Sequence, residues 1–405
     1  MTHHTQVGII GAGPAGLLLA QLLHQQGIRS VVLENRPRER VESRQRAGLL
    51  EQNTVDRLRQ AGATTRLDEQ GLVHDGVILS YNGQRHRIDL AELTGGSRVT
   101  IYAQTEVVKD LIQLRLDMGE PILFEAEATS IDGLDTSTPM IQYVHNGETH
   151  TLACDFVAGC DGFHGISRKT IPESLTTVYD KIYPYCWLGI LAKVPPSTHE
   201  LIYAYHDRGF ALHSMRSPEI SRLYVQCDVT DTLEDWPDER IWAELQIRLG
   251  TAGWTLHEGP ILEKTITPMR SFVSEPMQYG RLFLAGDSAH IVPPTGAKGL
   301  NMAVADTGQL FDALMAWYQN GSTAELADYT ACCMRRVWRV QEFSNFMTEL
   351  LHHDPDKSLF DAHLQASRFN QLITSPTAST VVAENYVGLA AKKASETPQS
   401  VPTHA

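Results

Sequence analysis

The most constraining stretch of the chain is Gly11-Ala-Gly13-Pro-Ala-Gly16, which follows an apolar run, Val7 to Ile10, and opens an apolar helical pattern from about Ala15 to Gln26. A second short apolar run, Ser30 to Leu33, ends at Glu34. Together these read as a β-α-β unit of the dinucleotide-binding type. The glycines allow the tight turn and let backbone N–H groups at the helix N-terminus approach a pyrophosphate. A carboxylate at the end of the second strand can accept hydrogen bonds from ribose hydroxyls and repels a 2′-phosphate, so the unit suits FAD or NAD rather than NADP. Without Glu34 the same glycines would be no more than a turn.

The bulk properties narrow the field. With 405 residues the chain can build more than one packed unit, and a formal charge of −14 disfavours nucleic acid as a partner. No apolar run approaches the roughly 20 residues needed to cross a bilayer, so a cytoplasmic location without membrane attachment is expected. The six cysteines form no C-x-x-C pair and are expected to be reduced, and the 17 histidines form no metal-ligand spacing. His3-His4 and His352-His353 read as surface pairs, and no metal is expected.

One hairpin is harder to place. In Gly209-Phe-Ala-Leu-His-Ser-Met-Arg-Ser217, alternation puts Phe210, Leu212, Ser214 and Arg216 on one face. After a turn at Ser217, Pro218 and Glu219, the next run puts Arg222, Tyr224 and Gln226 on one face. A face that is cationic, polar and aromatic looks either at water or into a pocket, and alternation alone leaves both open.

Two further strand ends carry an aspartate beside a glycine: Cys160-Asp161-Gly162 after the run Asp155 to Gly159, and Gly286-Asp287 after Arg281 to Ala285. The glycine-rich loop Pro293-Pro-Thr-Gly-Ala-Lys-Gly-Leu-Asn301 then feeds a helix. There is no second G-x-G-x-x-G unit, which argues against a two-nucleotide disulfide reductase. The basic stretch Asn35-Arg-Pro-Arg-Glu-Arg40 with Arg44 and Arg46 is either a site for a donor's phosphates or a solvated loop.

With these fingerprints the chain resembles the FAD-dependent aromatic hydroxylases and, within them, the 4-hydroxybenzoate 3-monooxygenase family. The resemblance runs from about Val7 to Leu389. Outside the nucleotide motifs it is carried by Gln45-Arg-Ala-Gly-Leu-Leu-Glu-Gln52, Tyr102-Ala-Gln-Thr-Glu106, Gly159 to Arg168, Glu200-Leu-Ile-Tyr-Ala204, Gly209 to Leu212, Arg281 to Asn301 and Ala383-Glu-Asn-Tyr-Val-Gly388. The fold this implies is α/β (α+β). A Rossmann-like FAD-binding domain covers 1–180 and a mixed-β substrate domain 181–270. A returning strand and C-terminal helical region cover 271–390, with helices expected over Asn301 to Tyr318, Ser322 to Phe346 and Ser358 to Leu372. A polar tail over 391–405 is expected to be disordered.

The resemblance also implies roles for particular residues. FAD is held by Gly11, Gly13, Gly16, Glu34, Arg46, Gln104 and Asp287. A nicotinamide donor meets Arg44, His164 and Arg270. Ser214, Arg216 and Tyr224 hold a substrate carboxylate, Tyr203 touches the substrate phenol with Tyr386 behind it, and the Pro294 carbonyl meets the same phenol. His74 stands at the outer end of a proton-carrying hydroxyl chain, and Arg222 and Asn301 influence flavin position. The implied reaction converts 4-hydroxybenzoate to 3,4-dihydroxybenzoate with O2 and NADPH, in a homodimer. The pattern departs from the family at residues 35–43, where donor choice is made, so NADH stays open. Rival readings are a sister hydroxylase acting on another hydroxy- or aminobenzoate, and a non-catalytic binder of the same fold.

Overall fold

The computed structural model describes residues 2–44, 48–354 and 356–388; Arg46 and the 391–405 tail lie outside them. A six-stranded sheet forms the nucleotide-binding side, in the order Gln278–Tyr279, Leu282–Leu284, Phe156–Gly159, Val7–Ile10, Ser30–Leu33 and Ile122–Leu123. Its strands are parallel except for the Gln278–Tyr279 edge. Every residue of Val7–Ile10 is buried, as expected for a central parallel strand covered on both faces.

The helix Pro14–Gln25 packs against this sheet and against the helix Gly299–Asn320. Pro14 occupies its first turn, where a missing N–H costs nothing. Leu17, Leu18, Leu19, Leu22 and Leu23 are fully buried, each contributing about 1.5–3 kcal/mol of hydrophobic stabilisation.

An eight-stranded sheet makes the other wall of the molecule. Its spine is a pair of long antiparallel strands, Thr177–Ala192 and Ile261–Glu275. The hairpin Ala211–Ser217 with Ile220–Cys227 lies in its middle, beside Ile202–Tyr205. The strands Gly76–Tyr81 and Gln84–Asp89 complete one edge. Chain segments far apart in sequence therefore build one surface.

The C-terminal helices close over that surface. The expected helix Ser322 to Phe346 is instead a short turn of helix, Ala324–Ala327, followed by Tyr329–Leu351. The helix Leu359–Thr374 lies where a third was expected, and a further helix, Pro376–Val387, carries Tyr386. That last helix gave little sequence signal, because Thr377, Thr380, Val381 and Val382 are β-branched. It forms because the Ser375 hydroxyl accepts the Ala378 N–H, Pro376 fits its first turn, and Val382, Ala383 and Tyr386 are buried. The pair His352-His353 is not a surface pair: His352 is 1% exposed. Its ring lies flat between Tyr185 and Phe210, with centroids 4.7 and 4.6 Å away.

Candidate active site

The glycine turn divides its labour. Gly11 sits at φ +107°, and a Cβ there would lie 2.3 Å from the Cys160 carbonyl oxygen. A Cβ on Gly16 would lie 2.1 Å from the Gly11 carbonyl oxygen, so helix and turn pack without room for a side chain. Gly13 differs: a Cβ there meets no heavy atom within 4 Å. The open space faces the start of Pro14–Gln25, whose first turn has no side-chain cap and no acidic residue. That is a suitable seat for a pyrophosphate.

The Glu34 carboxylate accepts the Ala12 N–H at 2.8 Å and the Arg36 N–H at 2.9 Å, fixing it against the turn. Asp287 is exposed within the tight turn Gly286–Ser288, and Gln104 opens the helix Gln104–Asp117. Behind the first of these, the buried Asp306 accepts the Gly286 N–H at 3.0 Å and faces His290 Nε2 at 2.6 Å. Asp161 is anchored by the Ser167 N–H and hydroxyl, both at 2.9 Å, while its buried Oδ1 has no partner among the described residues. These groups fit FAD: an open helix N-terminus for the pyrophosphate, a carboxylate for the ribose and an exposed aspartate along the way. Gly13→Ala should therefore leave the melting temperature of the apoprotein unchanged, since φ −77° and ψ 178° suit alanine. The FAD dissociation constant should rise by roughly tenfold or more, measured by flavin fluorescence titration.

The hairpin face looks into a pocket, not at water. Its walls include Leu212, Ser214, Arg216 and Tyr224 from the hairpin, Tyr203 from the neighbouring strand, Trp187, and Pro294 with Ala297 from the glycine-rich loop. Register explains the grouping, because Leu212 pairs with Tyr224 and Ser214 with Arg222, which puts both alternating sets on one face. Arg222 is 6% exposed, and the absence of a side chain at Gly189 admits it, since a Cβ there would lie 2.7 Å from Arg222 Nη2. The Arg222 guanidinium lies 5.0 Å from the Tyr224 ring centre. Burial would raise the Tyr224 hydroxyl, but the Arg222 and Arg216 guanidiniums outweigh it and hold the phenol below its ordinary value. Burial likewise lowers the pKa of Arg216. The pocket thus concentrates positive charge in a water-poor setting, which favours an anion.

The Tyr203 hydroxyl lies 2.9 Å from the Tyr386 hydroxyl, with both side chains 1% exposed. Burial pushes both phenols up, so both stay protonated at neutral pH. His74 is buried and burial lowers its pKa. No hydrogen bond joins it to the tyrosine pair among the described residues, and its Nδ1 is unpartnered there. The Pro294 carbonyl accepts the Ala297 N–H at 2.9 Å, closing the one-turn helix Pro294–Gly296. Asn301 is fully engaged: Oδ1 accepts the Glu51 N–H and the Thr54 hydroxyl, and Nδ2 donates to the Leu49 and Ala297 carbonyls. It ties the strand Leu49–Glu51 to the start of Gly299–Asn320.

The residues expected to meet the nicotinamide donor fall partly together. The Arg270 guanidinium lies 4.5 Å from the Phe163 ring centre, and His164 packs edge-on against the same ring. Arg270 is held by Asp180 at 2.7 and 2.5 Å. Arg44 is exposed at the end of the helix Arg38–Ser43. Sequence reasoning missed Trp187 and His352, and also the buried Lys298, whose ammonium donates to Glu51 at 2.5 Å and to the Tyr386 carbonyl at 2.9 Å. A lysine inside the glycine-rich loop Gly296-Ala-Lys-Gly299 was the one visible signal for the last of these.

A parallel-sheet nucleotide cradle joined to a closed aromatic pocket is the architecture of a flavin-dependent hydroxylase, and the chain belongs to the FAD binding domain family, which matches residues 4–344. It is an FAD-dependent monooxygenase. Among curated relatives, it is 48% identical over 389 residues to the p-hydroxybenzoate hydroxylase of Acinetobacter baylyi, covering 96% of each chain. It is 26% identical to a kynurenine 3-monooxygenase of Salinispora tropica, over 80% of this chain and 76% of that one. A solved p-nitrophenol 4-monooxygenase from Pseudomonas putida shares the fold with a TM-score of 0.81 at 20% identity, covering 95% of this chain and 98% of the other.

Proposed function

We propose that the protein hydroxylates 4-hydroxybenzoate at the 3-position, consuming NADPH, a proton and O2 and giving 3,4-dihydroxybenzoate, NADP⁺ and water. The observation that carries the reading is the sharing of one pocket by the Arg216, Tyr224 and Ser214 group and by Tyr203, whose hydroxyl lies 2.9 Å from that of Tyr386. A para-hydroxy acid presents a carboxylate for the first and a phenol for the second. The identity with the Acinetobacter baylyi enzyme supports it.

Arg216 and Ser214 bind and orient the carboxylate, and the lowering of the Tyr224 pKa by the two arginines reflects the same positive field. The apolar walls exclude water from the ring and fix its edge. Electrophilic hydroxylation requires an electron-rich ring, and a phenolate is far richer than a phenol. Tyr203 receives the substrate's phenolic proton as its own passes to Tyr386, and His74, which no direct hydrogen bond joins to the pair among the described residues, is the proposed outer acceptor. FAD, when bound at Gly11 to Gly16, Glu34, Gln104 and Asp287, supplies the reduction by NADPH and the activation of oxygen. His164 and Arg270 are the proposed docking groups for the donor, with Arg44 nearby in sequence to the cradle. Exposed Arg36 and Arg40 suit a 2′-phosphate, which favours NADPH over NADH.

The test is oxidation of NADPH and of NADH by the FAD-loaded protein, with and without 4-hydroxybenzoate, with product quantified by chromatography. The expected result is strong stimulation by substrate, one product per NADPH, and a slower NADH rate. Donor consumption with peroxide but no 3,4-dihydroxybenzoate would reassign the ligand.

A further inference from the structure

Trp187 forms one wall of the pocket, with its ring centre 4.8 Å from that of Tyr224, which also lines it, and 4.9 Å from that of Phe210 behind. Its single polar atom, Nε1–H, is buried and donates to His352 Nε2 at 2.6 Å. The other ring nitrogen, His352 Nδ1, lies 2.9 Å from the Thr348 carbonyl oxygen. A carbonyl can only accept, so Nδ1 carries the proton and Nε2 is left as a bare acceptor aimed at the indole. A protonated ring would set two donors against each other, and burial among Tyr185, Phe210 and Trp187 pushes the His352 pKa down to about 3.

The same turn of helix reaches a second wall. Thr348 Oγ1 donates to the Ser344 carbonyl at 2.7 Å and lies 2.9 Å from Thr295 Oγ1, so Thr295 donates to it. Thr295 follows Pro294, which lines the pocket. The end of the helix is itself fastened to the hairpin, because Gln226 donates to the His353 carbonyl at 2.5 Å and accepts the His353 N–H at 3.1 Å. One helix terminus thus grips the Trp187 wall through His352 and the Pro294 turn through Thr348.

We propose that His352 is a positioning residue that fixes the Trp187 wall and so sets the width of the pocket, restricting it to a single unsubstituted hydroxybenzoate ring. The ring-size part rests on the proposed function; the His352–Trp187 coupling does not. In His352→Phe the stacking survives but the indole N–H loses its acceptor, so the wall shifts to find another. His352→Gln restores an acceptor oxygen.

The experiment uses the full-length FAD-loaded protein. Dissociation constants are measured for 4-hydroxybenzoate and for its 2-methyl and 3-methyl analogues, alongside the indole hydrogen-bond signature of Trp187, read by ultraviolet resonance Raman as the difference from Trp187→Phe. His352→Phe should weaken 4-hydroxybenzoate binding by about tenfold, narrow its preference over the methylated rings by at least about fivefold, and shift the indole band. His352→Gln should return all three towards the parent, and FAD affinity should not change. In a Trp187→Phe background, His352→Phe should add little. An unchanged indole band, or an equal binding loss in the Trp187→Phe background, would overturn the proposal. Failure of the parent protein to bind 4-hydroxybenzoate would instead overturn the proposed function, and the Raman comparison would still decide the coupling.

Discussion

Arg216→Ala is expected to raise the dissociation constant for 4-hydroxybenzoate by roughly two to three orders of magnitude while leaving FAD affinity within about twofold. The guanidinium lines the pocket, the nearby Arg222 carries charge of the same sign, and the two together lower the pKa of the Tyr224 phenol. On the proposed function, a substrate carboxylate would add negative charge to this positive field. Removing one member of a desolvated, hydrogen-bonded ion pair costs about 2–5 kcal/mol, and 1.4 kcal/mol is tenfold in affinity. Arg216→Lys keeps the charge but loses the planar fork, so it should recover only part of the loss. Equilibrium titration through the flavin absorbance provides the measurement. Equal affinity in Arg216→Ala and the parent would place the carboxylate elsewhere, Arg222 being the first candidate. Because Tyr224 is lowered by both arginines, the variant should also move its phenol upward, visible in the ultraviolet titration of tyrosinate.

What the chain reveals before folding is uneven for a physical reason. The nucleotide cradle was legible because it is local: Gly11, Gly13, Gly16 and Glu34 act within one β-α-β unit, and the strands Val7–Ile10 and Ser30–Leu33 are as read. The hairpin alternation was legible too, but not what it faces. The covering residues include Pro294 and Ala297 from a loop much further along the chain, and no periodicity within Ala211–Cys227 encodes their approach. Tyr386 was reached through resemblance, since its helix is disguised by β-branched residues and exists through capping and burial. His352 was misread as part of an exposed pair, because a histidine on a helix end gives no sign of the aromatic rings that enclose it until Thr177–Ala192 and Tyr329–Leu351 are packed together.

Tyr203→Phe tests the chemistry rather than the binding. The ring remains to pack against Phe210 and Tyr386, and substrate affinity should change by less than about tenfold, the scale of one neutral hydrogen bond. Hydroxylation should fall by roughly two orders of magnitude or more, the usual contribution of a positioned proton acceptor. NADPH consumption should continue and appear as peroxide. The direction with pH distinguishes a proton route from simple misplacement. In the parent, burial holds Tyr203 and Tyr386 protonated at 2.9 Å from one another, so on the proposed route they would relay a proton without carrying charge, and coupling should be flat across the neutral range. In the variant the substrate must lose its proton directly to solvent, and a free phenol titrates near ~10. Product formed per NADPH should therefore climb as pH rises towards that value. A variant whose coupling is low at every pH would mean that Tyr203 orients the ring, and one that matches the parent at pH 7 would remove Tyr203 from the proton path.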